Sequence, residues 1–357
     1  MQKSDIAQTP ERPLAADLKL SVLVLAYNHG DYIADCVASV LQSATEHMHV
    51  WILEDGSSDH TLAVLEGIAR DDDRVTVMTQ PNSGGRTAEN TQHLINVSDG
   101  EFIMFMSGDD MLGPSFPIQR SLHKLEKDPQ LAFVLPRLLY LHQNAAAKPD
   151  HIYKEQLLET LISGDPEKVL QGHLYKEVSR LFLQGMIIRR DVVTAIGGFD
   201  TSLLADDYAF ILRLFKYLAS KQKRFLFDAA SLWLYRIHDH NVHRVAARQF
   251  QLILEVVKAY VPRAYWDTFR WDVVAFATLD DLANVRQILH ELVGQKNAAH
   301  VVRRLERRTL RAAGKNSDIN LLKVALHDTT FHFENRLMAA LLLLRTNARE
   351  NMRNETS

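Results

Sequence analysis

Short apolar runs alternate with helical patterns through residues 20–106, and that alternation limits the folds open to this chain more than any other feature. Leu20–Ala26 (LSVLVLA), Val50–Leu53, Val75–Thr79 and Phe102–Met106 read as buried strands. Between them, Asp31–Leu41 places apolar residues at 33, 36, 37, 40 and 41, one face of a helix. Thr61–Ala69, with Ser58 or Asp59 as N-cap, and Thr87–Val97, stopping near Asp99-Gly100, are helical too. Strand–helix alternation of this kind argues a mainly parallel, doubly wound α/β sheet flanked by helices. In open sheets of that type, ligands bind outside the carboxyl ends of the strands.

Four such ends carry polar residues: Ala26-Tyr27-Asn28, Glu54-Asp55, Gln80-Pro81-Asn82-Ser83-Gly84-Gly85 and Ser107-Gly108-Asp109-Asp110. Singly they are ordinary, since Asp-Gly at a strand end is usually a turn, and Asp71-Asp72-Asp73 reads as a solvated loop. In series on one sheet edge they read as a binding site. The last is the most demanding, because two adjacent carboxylates close the buried run EFIMFM and repel each other. A hard divalent cation wants carboxylate oxygens and commonly keeps bonds to substrate phosphates. Neighbouring residues of an extended segment point to opposite sides. Asp110 could therefore hold a metal while Asp109 turns toward a ribose hydroxyl, with Gly108 leaving room for close approach. Asp55 is placed to accept the imino N–H of a pyrimidine, and Gly84-Gly85 before a helix suits either a phosphate cradle or a plain loop. The first strand is followed by neither G-x-x-x-x-G-K-[ST] nor G-x-G-x-x-G, which weighs against a P-loop or dinucleotide fold.

Beyond Pro114 the order loosens. A helix runs to about Lys127, an apolar stretch over Leu131–Leu141 is interrupted by Pro136, and Gly185–Arg189 reads as a strand. Asp206–Lys221 is a helix with apolar positions 210, 211, 214, 215 and 218, and Arg224–Ile237 is β-rich. After about Val245 strand signals vanish, and helical segments separated by Pro262, Gly294 and Gly314 run to about Arg349. The expected organisation is a disordered lead over 1–18, an α/β domain over 19–244 and an all-helical region over 245–357. The lead lacks the apolar segment of a signal peptide. No run approaches the ~18 apolar residues of a membrane span. The expectation is a cytoplasmic protein, soluble or peripheral at the inner face of the cell membrane. The formal net charge of -3 gives no general reason to bind nucleic acid. Cys36, the single cysteine, cannot form an internal disulfide and lies with Ile33, Val37 and Val40 as a small core residue.

The segments SVLVLAYNHGDYIADCVASVLQS, VWILEDGSSDHT, PNSGGRTAENTQHLINVSDGEFIMFMSGDD, IGGFD, LADDYAFILRLF and YRIHDHNVH resemble, in order, family 2 glycosyltransferases of the GT-A fold over roughly residues 19–243. The resemblance implies an inverting transferase that uses a nucleotide-activated sugar, most often a UDP-sugar, together with Mn²⁺ or Mg²⁺. It implies a glycan or lipid-linked sugar as acceptor and a place in bacterial surface polysaccharide synthesis. Ala26, Tyr27 and Asp55 resemble the family's nucleobase-binding positions. Asp109 and Asp110 resemble its D-x-D-type motif, Asp110 being the metal ligand, and His238 resembles the histidine that contacts metal or diphosphate. Asp207 resembles the catalytic base; Asp206 stands where the family usually has Glu, as an acceptor-positioning or helix-capping neighbour. Where the family commonly reads Ala-Arg-Asn, this chain reads Ala88-Glu89-Asn90, with Arg86 as a nearby substitute for the missing cation.

Other features have plainer readings. His240 and His243 read as surface residues, Trp233 and Tyr235 as core or as the lining of an acceptor groove, and Leu337–Leu344 as a helix buried against other helices, with membrane or partner contact as the alternative. Arg303, Arg304, Arg307, Arg308 and Arg311 recur at helical spacing, as a solvated face or a basic surface for anionic lipid. Two alternatives stay open, a nucleotidyltransferase on a similar sheet and a catalytically inactive sugar-binding or scaffold subunit.

Overall fold

The computed structural model describes residues 19–43, 46–114, 116–142, 155–178, 181–203, 207–238, 246–266 and 269, with shorter helical pieces between 302 and 343. The chain divides into two compact units, Met1–Leu174 with Ser179–Asn241 and Tyr175–Val178 with Val242–Ser357.

The first unit is built on eight strands: β1 (Leu20–Ala26), β2 (Met48–Glu54), β3 (Val75–Thr79), β4 (Phe102–Ser107), β5 (Met111–Leu112), β6 (Leu131–His142), β7 (Ile187–Arg189) and β8 (Arg224–Ile237). They form one sheet in the order β3-β2-β1-β4-β7-β6-β8-β5. The pairs β1–β2, β1–β4 and β2–β3 are parallel, joined by helices α1 (Ile33–Gln42), α2 (Thr61–Asp71) and α3 (Thr87–Val97). Burial explains why these runs lack alternation. Every residue of β2 is buried and all but one of β1, as in a strand covered on both faces. From β1 the chain steps outward to β2 and β3, then returns to place β4 on the other side of β1. That reversal is the topological switch point where open α/β sheets bind ligands.

The other half of the sheet is mixed. β7 is antiparallel to β4 and to β6, while β6 and β8 are parallel to each other. The two reversals cancel, so β8 points the same way as β1 and β4. Its C-terminal end therefore reaches the same sheet edge as Ala26 and Ser107. β6 passes straight through Pro136, which falls at a register shift between Pro136 and Arg137, where a residue without an N–H is tolerated. The helix expected from Pro114 begins only at Ile118, as α4 (Ile118–Lys127). Before it, Met111 and Leu112 pair with Leu234 and Trp233 of β8, and Gly113 N donates to Leu232 O at 2.7 Å.

Helices α5 (Glu155–Ile162) and α6 (Pro166–Val169), followed by a π-helical turn at Leu170–Leu174, precede α7 (Arg190–Ala195) and α8 (Asp207–Lys221). Carbonyls at helix C-termini lack intrahelical donors, and arginines supply them here. Arg190 donates to Ile95 O at 2.9 Å behind α3, and Arg213 to Ile196 O at 2.9 Å and Gly198 O at 2.7 Å behind α7. Arg213 thereby ties the Gly197-Gly198 loop to α8.

In the second unit α9 (Ala246–Tyr260) is followed by Pro262 and a 3₁₀ turn at Arg263–Tyr265, and all regular structure described after residue 245 is helical. Asn335, fully buried, donates to Arg303 O at 3.0 Å and Glu306 Oε2 at 2.6 Å and accepts from Arg307 Nε at 3.0 Å. Arg307 is therefore engaged inside the unit, while Arg303 and Arg311 are exposed; Arg304 and Arg308 lie outside the described residues. Among the described residues no helix is long and apolar enough to cross a membrane.

Candidate active site

The loops after β1 and β2 are stitched together. Asn28 takes a left-handed φ of 54°, which turns its N–H to Ser57 Oγ at 2.9 Å and its Oδ1 to Ser58 N at 2.8 Å. His29 N donates to Thr61 Oγ1 at 2.8 Å and Gly30 N to Asp59 Oδ2 at 2.9 Å. Ala26 is buried and accepts the Asp55 N–H at 2.9 Å, whereas Tyr27 is 46% exposed on the edge.

Asp55 is buried and held by the loop after β3. Its Oδ1 accepts from Gln80 Nε2 at 2.6 Å and Ser83 N at 2.9 Å, and its Oδ2 from Ser83 Oγ at 2.6 Å. Gln80 also reaches Asn90 Oδ1 at 2.8 Å, so α3 fixes the orientation of this carboxylate. Three donors fill three of about four lone-pair positions, and the fourth is on Oδ2. Gly56, at φ +67°, lies under this loop; a Cβ there would sit 2.4 Å from Asn82 N. Gly56→Ala is therefore expected to cost more than ~1 kcal/mol in a denaturant melt. It should also weaken nucleotide binding, because the loop carrying Ser83 must move.

Gly84 adopts φ +73° with open space around it, so the backbone conformation and not a close approach calls for glycine there. Arg86 forms an exposed ion pair with Glu89 at 2.7 Å.

Asp109 and Asp110 diverge. Asp109 Oδ1 accepts from Ser107 Oγ at 2.5 Å, and its Oδ2 faces His238 Nε2 at 3.0 Å and His29 Nε2 at 3.8 Å. Burial alone would raise its carboxyl, but the His238 and Ser107 contacts and the nearby His29 hold it down at about 2. Asp110 is 1% exposed and its Oδ1 accepts the backbone N–H of Arg236 at 3.0 Å. Burial, and then the charge of Asp109, push Asp110 well above the usual carboxylate range. Gly108 makes the turn possible, since a Cβ there would lie 2.7 Å from Ile33 Cδ1 and 2.8 Å from His29 Nδ1.

Asp207 is the first residue of α8 and half-buried, at a helix end that favours negative charge. Its neighbour Tyr208 donates to Leu174 O at 2.8 Å and anchors that end. Burial raises the Tyr235 hydroxyl, and the charges of Asp110, Asp109, Tyr140 and Asp207 raise it further. Asp206, His240 and His243 lie outside the described residues.

The sheet edge thus brings together Ala26, Tyr27, Asp55, Asp109, Asp110 and His238, with Gly84 and Arg86 in the loop beside Asp55. Sequence reasoning missed His29, Tyr32 and Arg236, all of which touch these groups, and placed Gln80 and Ser83 at the binding edge without their role of holding Asp55. His29, Tyr32 and Arg236 stand within the quoted YNHGDY and YRIH, but nothing local marks them as contacts.

The model of the family described as "Glycosyl transferase family 2" matches residues 21–197. Those residues are a family 2 glycosyltransferase domain. The chain is 24% identical over 234 residues to the uncharacterized glycosyltransferase YibD of Escherichia coli (strain K12), covering 64% of each. It is 34% identical over 115 residues to the chondroitin synthase of Pasteurella multocida (strain Pm70), covering 32% of this chain and only 12% of that protein. Of solved structures, Staphylococcus aureus TarS 1-349 in complex with UDP-GlcNAc superposes with a TM-score of 0.55 at 16% identity, over 85% of this chain and 88% of that one. The mannosyltransferase PcManGT of Pyrobaculum calidifontis, in complex with GDP-Man and Mn2+, gives 0.51 at 14% identity over 98% and 90%. The glycosyltransferase domain has the GT-A fold, a mixed sheet with flanking helices.

Proposed function

We propose that this chain moves a sugar, with inversion, from a nucleotide-diphosphate sugar to a hydroxyl of a glycan or lipid-linked acceptor during assembly of a bacterial surface polysaccharide. The preferred donor is a UDP-sugar. The observation that carries the reading is the meeting of Asp55, Asp109 and His238 on one sheet edge, beside the switch point of a family 2 domain. The catalytic part is assigned to residues 19–244 and the helical region to 245–357. Exposed Arg303 and Arg311 offer the helical region's basic face to an anionic membrane surface. The nucleotidyltransferase alternative calls for a glycine-rich basic loop after β1, where the chain reads Ala26-Tyr27-Asn28-His29-Gly30-Asp31.

Mn²⁺ or Mg²⁺ fits the residues present. Among the described residues no three His, Cys, Asp or Glu side chains are arranged to hold a metal by themselves. Asp109 Oδ2 and His238 Nε2, 3.0 Å apart, supply two ligands of the kind that substrate phosphates and water complete. This exchanges the roles expected from sequence. Asp109, kept ionised and facing His238, is the cation's carboxylate. Asp110, buried and spent on Arg236 N, holds the turn between β4 and β5. A divalent cation bound there supplies Lewis-acid neutralisation of the departing diphosphate. Asp207 accepts the proton of the attacking acceptor hydroxyl, Asp55 accepts from the nucleobase, and Tyr27 offers its exposed ring as a face for that base.

The remaining lone pair of Asp55 suits an imino N–H, so UDP is expected to bind more tightly than GDP or ADP. Base discrimination by hydrogen bonding elsewhere is worth ~1–3 kcal/mol, or about 5- to 150-fold. Titration calorimetry with the three nucleotides in Mn²⁺ tests this, and equal affinities would remove the pyrimidine assignment.

A further inference from the structure

Arg236 is buried, 9% exposed, and sits two residues before His238 at the end of β8. Its Nε donates to Asp109 O at 2.9 Å, while Nη2 lies 3.3 Å from Asp35 Oδ2 on α1 and 3.2 Å from Met111 Sδ. The guanidinium carbon stands 4.9 Å from the centroid of the Tyr32 ring, just before α1. The same ring stacks on His238, with centroids 5.0 Å apart and planes at 29°. One cation and one aromatic ring thus touch both groups assigned to the metal: Arg236 the main chain of Asp109, Tyr32 the imidazole of His238.

Burying a guanidinium is costly unless its donors are met. Among its partners, the Asp35 carboxylate is itself 59% exposed, and another donor goes to the main chain of Asp109. A lysine could supply charge at this place but not the planar fork that bonds sideways while its face lies on a ring.

We propose that Arg236 and Tyr32 are positioning residues of the cation site. Arg236 fixes the Asp109 backbone and so the aim of its carboxylate, and Tyr32 fixes the plane of the His238 ring. Together they hold Oδ2 and Nε2, 3.0 Å apart, as the two groups that would hold the cation. The inference rests on the reading that Asp109 and His238 hold the cation. Groups that orient metal ligands commonly contribute 10–100-fold in metal affinity.

The experiment is Mn²⁺ titration of the full chain in saturating UDP, read by the electron paramagnetic resonance signal of free Mn²⁺, with metal-free melting curves alongside. Arg236→Lys and Tyr32→Leu are expected to weaken Mn²⁺ binding about tenfold or more. Tyr32→Phe, which keeps the stacked ring, should restore wild-type affinity, and Tyr32→Leu should melt as wild type does. Should Arg236→Lys fail to fold, the two Tyr32 variants decide the matter. Asp109→Asn separates the two ideas. If it loses Mn²⁺ binding while Tyr32→Leu keeps wild-type affinity, the positioning role is overturned and the metal reading stands. If Asp109→Asn binds Mn²⁺ undiminished, the metal reading itself falls.

Discussion

Asp109→Asn is expected to leave a folded chain whose turnover falls by roughly 10³-fold or more and no longer responds to Mn²⁺, the scale of losing Lewis-acid charge stabilisation. Folding should survive because the substitution removes a repulsive charge beside Asp110 and keeps an acceptor for Ser107 Oγ. The partner variant makes the test discriminating. Asn at position 110 can still accept from Arg236 N, so Asp110→Asn should keep its Mn²⁺ response with a much smaller loss. Turnover against Mn²⁺ concentration for both variants reads this directly. Abolished activity in Asp110→Asn, with Asp109→Asn near wild type, would return the metal to Asp110.

The second large effect concerns Asp207. A positioned general base is typically worth ~10²–10⁴-fold, so Asp207→Asn should lose roughly 10²-fold or more in turnover while binding the nucleotide sugar normally. The substitution keeps the helix end intact, because Tyr208 still anchors it to Leu174. Asp206→Asn should act on acceptor affinity or stability instead. Turnover and donor binding with both variants distinguish the residues. A collapse in Asp206→Asn, with Asp207→Asn close to wild type, would exchange them.

Most of the sheet was legible because its signals are local, β7 and β8 included. β1 to β4 are apolar runs of strand length, and α1 to α3 each show one apolar face. β5 was not, since two residues carry no periodicity and only pairing with Leu234 and Trp233 makes them a strand. The site divides in the same way. Asp55, Asp109 and Asp110 announce themselves at strand ends. Alternation along the backbone told that the last two diverge, but not which one turns to His238. That depends on how β8 returns to the sheet, a contact across 129 positions of sequence. Arg236 and Asp35 are 201 positions apart, and no local pattern could have joined them. Gln80 and Ser83 were placed at the binding edge, but their partner Asp55 lies 25 and 28 positions away, so their role of holding it was not legible.

The most direct test of the central claim is release of nucleoside diphosphate from a panel of UDP- and GDP-sugars by the intact wild-type chain, with Mn²⁺ and then with excess EDTA. The account predicts release from at least one UDP-sugar in Mn²⁺, stimulated by the right acceptor and abolished by EDTA. Full activity in EDTA, or no binding and no release with any nucleotide sugar in Mn²⁺, would contradict it.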